Sequence, residues 1–199
     1  MQIRRIVTGI LEENGYVIYP KDGRECFIID PGEDAEKFVS FVRENGLELS
    51  GILLTHGHHD HIGAVDRIKD QTGCPVYLHR EDEDLARCRT DEYLEDGQVF
   101  MVGDETLKVI HTPGHTRGGV CLFSEKSRAA FTGDTIFDVD IGRMDLEGGS
   151  EKDMAESLKN VVDKWENDII IYPGHGDSSS MKKVRQVNSE FRYMIGELK

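Results

Sequence analysis

Four histidines and an aspartate fall within the seven residues Thr55–His61, THGHHDH, in a chain that has only eight histidines. In an extended segment, side chains two apart lean the same way, so His56 and His58 can face one metal ion. Asp60 and His61, past a bend, can face a second. Gly57 is expected to let the backbone pass close to the metals, and His59, on the alternate face, to stay outside the ligand set. Three more donors follow downstream: His115 in TPGHTRGG, Asp134 in FTGDTIF and His175 in YPGHG. Imidazole and carboxylate donors without thiolate suit zinc, iron(II) or manganese(II), and a carboxylate can bridge two ions. His56, His58 and His115 then serve one ion, Asp60, His61 and His175 the other, and Asp134 is the bridge. This count leaves open positions for solvent and substrate, as catalytic rather than structural sites require.

The chain has no GxSxG elbow, so the expected nucleophile is water. Metal coordination can lower the pKa of water from about 15.7 to about 7, which makes a separate strong base unnecessary. Asp60 and Asp134 are accordingly the carboxylates assigned to catalysis, acting through the ions. Of the remaining histidines, His79 at the end of PVYL is expected to make a strand-end hydrogen bond. His111 is expected to brace the TPGH turn.

These donors need a frame. Four times a short apolar run ends and a donor follows: GILLT before His56, LKVI before His115, AAFTG before Asp134 and DIIIYPG before His175. Pro113–Gly114, Gly133 and Pro173–Gly174 put each donor on the loop leaving a strand, where a site can be assembled from distant sequence. Strands are expected near Ile3–Leu11, Tyr16–Tyr19 and Cys26–Ile29. A helix is expected near Asp34–Glu44, with Ala35, Phe38, Val39 and Val42 on one face. Another should carry Met154, Leu158, Val161, Val162 and Trp165 behind a capping box at Ser150–Asp153. A last helix should turn Met181, Val184, Phe191, Ile195 and Leu198 inward. Mixed strands and helices indicate an α/β protein.

The 199 residues fit one domain, 1–199, with neither a membrane-spanning run nor a signal peptide. A net charge of −14 argues against nucleic-acid binding, which draws on clustered Lys and Arg. The acidic run Glu81–Asp96 is expected to be a solvated face. Cys26, Cys74, Cys88 and Cys121 form no CxxC pair and fit free thiols in a reducing cytoplasm.

THGHHDH, TPGHTRGG, FTGDTIF and YPGHG together resemble, in order, the metal motifs of the metallo-β-lactamase superfamily, over nearly the whole chain. The resemblance implies a four-layer αββα sandwich and a dinuclear site, most simply of zinc, built from the same seven residues. TPGHTRGGVCLF, GDTIF and IGRMDLEGGS further resemble the glyoxalase II-like branch, whose members hydrolyse thioesters such as hydroxyacylglutathione. The 24 residues after His175 leave room for one helix but not for that branch's separate glutathione-binding helical domain. The expected activity is hydrolysis of a small thioester by a metal-bridging hydroxide. Persulfide dioxygenation on one iron held by His56, His115 and Asp134, lactone or other ester hydrolysis, and metal binding without catalysis are the alternatives. Within GRMD, Arg143 either clamps a substrate carboxylate or pairs with Asp145.

Overall fold

The computed structural model describes residues 1–198. β1 (Gln2–Thr8), β2 (Glu13–Tyr19) and β3 (Glu25–Ile29) form an antiparallel meander. The sheet then continues in parallel through β4 (Glu48–Leu53), β5 (Val76–His79) and β6 (Glu92–Leu94). Parallel neighbours need crossovers. Here α1 (Ala35–Glu44) joins β3 to β4, and α2 (His59–Ile62) with α3 (Val65–Thr72) joins β4 to β5.

The second sheet starts with a meander of β7 (Val99–Val102), β8 (Glu105–His111), β9 (Val120–Ser124) and β10 (Ala129–Gly133). Helix α4 (Glu151–Asn160) crosses over to β11 (Ile170–Pro173), parallel to β10, and β12 (Ser179–Ser180) closes the edge. Two short helices follow, α5 (Met181–Val187) and α6 (Ser189–Met194).

Side chains alternate across a strand, and this divides the apolar residues among three cores. Phe27, Ile29, Leu53, Leu107, Val109, Leu122 and Phe131 meet between the sheets. Ile28, Ile52 and Leu54, one position away, pack instead against Phe38, Val39 and Val42 of α1 and Val65 and Ile68 of α3. Cys121, Ala130 and Ile171 cover the opposite face with Met154, Leu158, Met181, Val184 and Phe191 of the later helices. The outcome is the four-layer αββα sandwich that the resemblance implies.

Three local expectations are revised. β1 stops at Thr8 rather than Leu11, because Gly9 and Glu12 take positive φ values of 65° and 52° and turn the chain, leaving Ile10 94% exposed. The helix expected to reach Trp165 ends at Asn160, and a separate 3₁₀ turn spans Val162–Lys164. The Ser150 hydroxyl does accept from Asp153 N, the first half of a capping box. The last helix is two, broken at Asn188. That side chain caps α6 by accepting from Phe191 N and donates to the carbonyls of Phe137 and Asp140. Among the described residues no helix is long and apolar enough to cross a membrane.

Candidate metal centre

The strands that carry the expected ligands end at one edge of the sandwich. β4 leads into Thr55–His61, while β8, β10 and β11 lead to His115, Asp134 and His175. Val120 N donates to the Thr55 carbonyl at 2.8 Å and ties the two sheets together there.

The donor atoms of His56, His58 and His115 lie within 4.8 Å of one another. Those of Asp60, His61 and His175 do the same, with His175 Nε2 3.3 Å from Asp60 Oδ2. Asp134 reaches both groups: its Oδ2 is 3.5 Å from His115 Nε2 and 3.8 Å from His175 Nε2, and its Oδ1 is 3.4 Å from His61 Nε2. His59, whose side chain is 87% exposed, belongs to neither group.

Three buried atoms at this point, His56 Nε2, His61 Nε2 and Asp134 Oδ1, have no hydrogen-bond partner. Each unpaired buried polar atom costs about 1–3 kcal/mol, so three gathered together fit a partner that is itself a cation. Gly174 keeps the space open: a Cβ there would sit 2.4 Å from both Asp134 Oδ1 and His61 Cε1. The donor set and the space therefore suit divalent metal.

The other nitrogen of most of these rings is held by the protein, which fixes tautomer and orientation. His115 Nδ1–H donates to the Arg143 carbonyl at 2.7 Å, and His175 Nδ1–H donates to the Leu11 carbonyl at 3.1 Å. His61 Nδ1–H donates to Asp30 at 3.1 Å, and Thr55 Oγ1 lies 3.0 Å from His56 Nδ1. Asp30 also accepts from Thr55 N and Thr55 Oγ1, at 2.7 and 2.6 Å. One buried carboxylate thus sets both His61 and the start of the histidine loop. Sequence reasoning missed Asp30. Its signal is IIDPG, a fifth apolar run ending in an acidic residue and a Pro-Gly turn.

Asp82 was also missed, inside the run expected to be solvated. It is 1% exposed, and its carboxylate accepts from Gly57 N, Thr116 Oγ1 and Gly118 N at 3.0, 2.7 and 2.6 Å. It joins the loop of His56 and His58 to the loop of His115. The role of Gly57 is revised accordingly. A Cβ there would crowd Ala86 and the Asp82 carbonyl, at 3.0–3.2 Å, so the close approach is to this support and not to a metal.

Charge is finely set. Burial, reinforced by neighbouring imidazoles, holds His56 well below the usual histidine range and lowers His58 to about 4. Burial opposes a charge on His61 too, but Asp134 and Asp30 raise it well above that range. Burial also works against the Asp134 carboxylate, yet His61 keeps it below its ordinary value. Metal must displace the proton that His61 would otherwise hold.

Glu13, 1% exposed, lies behind His61 with Oε1 3.8 Å from Nδ1. Burial pushes its carboxyl up to about 9, against the pull of His61 and with help from Asp30. A raised acid keeps a proton in the folded state that the unfolded chain has released, so its stabilisation is lost as pH rises toward the folded pKa. His61 acts in the same direction above its ordinary value, whereas depressed His56 and His58 act only below it. Between about pH 7 and 8.5 the metal-free protein should therefore lose stability, with Glu13 contributing about 1.4 kcal/mol per pH unit. Glu13→Gln should remove that share in urea unfolding; an unchanged slope would mean that Glu13 is ionised in the folded protein.

The centre opens into a cleft of about 510 Å³. Leu11, Phe137, Ile141 and Leu146 give it an apolar wall, facing His58, Asp60, His115, Asp134 and His175. Arg143 also lines it, but one edge of its guanidinium, Nε and Nη2, donates to the two Asp145 oxygens at 2.7 and 2.8 Å. The intramolecular pair, rather than a free carboxylate clamp, is what the structure contains. His111 does brace its loop, with Nε2–H donating to the Arg117 carbonyl, and His79 Nδ1 accepts from Glu81 N at 3.4 Å.

Known proteins share this architecture. An uncharacterised protein of Aquifex aeolicus (strain VF5) is 34% identical, over 94% of this chain and 96% of its own. Hydroxyacylglutathione hydrolase GloC of Haemophilus influenzae is 29% identical, over 94% and 97%. The crystal structure of the BLEG-1 B3 metallo-beta-lactamase superposes with a TM-score of 0.89 at 32% identity, over 96% of this chain and 99% of that one. TTHA1623, crystallised in a di-iron-bound form, gives 0.84 at 30% identity, over 94% and 99%. The model of the metallo-beta-lactamase superfamily matches residues 8–175, a span that holds every donor described above. This chain belongs to the metallo-beta-lactamase superfamily.

Proposed function

We propose that the protein is a dinuclear metal-dependent hydrolase of small thioesters. The observation that carries this reading is the pair of donor groups, His56–His58–His115 and Asp60–His61–His175, joined by Asp134 at the floor of an open cleft. Bound divalent ions would supply an ionised water near neutral pH and polarise the substrate carbonyl. The di-iron form of TTHA1623 supports a reading with two ions, and the imidazole and carboxylate donors of this chain suit zinc as well as iron.

The chain's own residues favour a leaving group that needs no proton. Of the titratable side chains lining the cleft, His58, Asp60, His115, Asp134 and His175 are assigned to metal, and Arg143 is held by Asp145. Only the exposed His59 is left to act as an acid. A thiolate departs unaided, whereas an amide nitrogen does not. Leu11, Phe137, Ile141 and Leu146 offer an apolar wall to the acyl or thiol chain. The kinship with GloC, a named hydroxyacylglutathione hydrolase, points the same way.

The test is turnover by metal-loaded protein on a panel of acyl-thioesters, lactones and β-lactams, with oxygen uptake measured on glutathione persulfide. Thioesters should lead the panel by tenfold or more in kcat/KM. Faster opening of a lactone or lactam, oxygen uptake with the persulfide, or retained metal with no turnover would each overturn the assignment.

A further inference from the structure

A second group of metal-type donors lies outside the cleft. β5 of the first sheet ends on His79 and β8 of the second ends on His111. Their rings stack at 4.2 Å between centroids, 14° from parallel. Glu81 stands beside them in the 3₁₀ turn Arg80–Asp82, and the donor atoms of the three side chains lie within 4.8 Å of one another. None of the three lines the cleft.

The protonation pattern leaves lone pairs available. His111 Nε2–H is spent on the Arg117 carbonyl, so in the neutral ring the lone pair is on Nδ1. His79 Nδ1 accepts only a long contact from Glu81 N, 3.4 Å, so it too carries a lone pair. Burial and the neighbouring His111 keep His79 below the usual histidine range, hence neutral and ligand-ready. Asp96 adds negative charge, accepting from His111 N at 2.9 Å, and Asp82 and Glu81 act on His79 in the same sense. The nearest cation in sequence, Arg80, is drawn away over the Tyr93 ring at 4.2 Å. Glu81 is exposed, so an ion can enter from solvent. Convergence on one ion asks the two half-buried rings to open from their parallel stack.

We propose that His79, Glu81 and His111 form a peripheral site for one zinc-class divalent cation, distinct from the centre in the cleft. Two imidazoles and a carboxylate, with a fourth position left to solvent, are donors that zinc accepts. An ion there ties the end of β5 to the end of β8. It also steadies the 3₁₀ turn that ends on Asp82, the carboxylate that joins the loops of His56 and His115.

The experiment counts zinc per chain after equilibrium dialysis of the whole protein against micromolar zinc. Wild type should carry one zinc more than His111→Ala or His79→Ala. Because His111 also braces the loop of His115, His79→Ala carries the comparison; its one-zinc difference is read the same way whether the cleft holds one ion or two, so its failure leaves the reading of the cleft untouched. Equal zinc in wild type and both variants overturns the proposal. Should either alanine variant fail to fold, the exposed Glu81→Gln carries the test: its weakest zinc isotherm should shift by about tenfold, and an unshifted isotherm overturns the site.

Discussion

Asp134→Ala should lower kcat/KM for the best thioester on the order of 10³-fold and reduce the metal bound per chain. Asp134 is the one carboxylate that stands between both donor groups, 3.4 Å from His61 Nε2 and 3.5 Å from His115 Nε2. Substitutions of residues that merely support metal ligands typically cost 10–100-fold, and a residue shared between two ions should cost more. The charge matters as much as the contacts. Asp134 is the largest influence raising His61, so its removal changes the protonation of a second donor at the same stroke. Asp134→Asn separates the two effects, because it keeps the volume and loses the charge; it should restore packing but little of the activity. Full metal content and near-normal turnover in the alanine variant would sink the dinuclear assignment.

Gly174→Ala should have an effect nearly as large from a single methyl group. The added carbon would lie 2.4 Å from Asp134 Oδ1, 2.4 Å from His61 Cε1 and 3.2 Å from His61 Nε2. His61 is buried and held by Asp30, and Asp134 is hemmed in by His61, His115 and His175, so one of them must move. A displacement near 1 Å at a catalytic centre can cost about 10²-fold, and loss of metal should accompany it. Gly176 supplies the contrast two residues on. Its φ of +77° makes alanine strained there, by about 1–2 kcal/mol, but a Cβ would meet nothing within 4 Å. Gly176→Ala should therefore lower thermal stability and keep its metal, while Gly174→Ala should lose metal together with the stability that bound metal confers. Equal metal retention in the two variants would refute the spatial argument.

The two substitutions probe the part of the site most legible in sequence. His115, Asp134 and His175 were readable as strand-end donors because each follows an apolar run and a turn residue, two signals with separate physical causes, and His56 and His58 because they crowd together behind a fourth such run. Asp30 carries the same signature in IIDPG and was passed over because it stands alone, without a second donor nearby. Asp82 is a different case. Its neighbours Glu81, Glu83 and Asp84 are exposed, so composition describes the segment correctly and one buried member wrongly. Only the approach of Gly57, Thr116 and Gly118 from distant parts of the chain makes it exceptional. The long amphipathic elements were likewise readable, whereas β5, β6, β7 and β12, of two to four residues, are too short for periodicity to register. The break at Asn188 turns on a side chain that chooses between capping a new helix and continuing the old one, which local pattern does not decide.

The division of the donors between the sheets has a mechanical consequence. His56, His58, Asp60 and His61 follow β4 of the first sheet, whereas His115, Asp134 and His175 follow strands of the second. Divalent metal held among them would act as a rivet through two plates whose flat contact is the layer of Phe27, Leu53, Leu107 and Phe131. At a thousandfold excess over Kd such a ligand adds about 4.1 kcal/mol to the folded state, and here that increment resists shear of one sheet over the other. Metal retention should then report on packing far from the metal: a core variant that lets the sheets slip should lose its rivet before the sandwich itself comes apart.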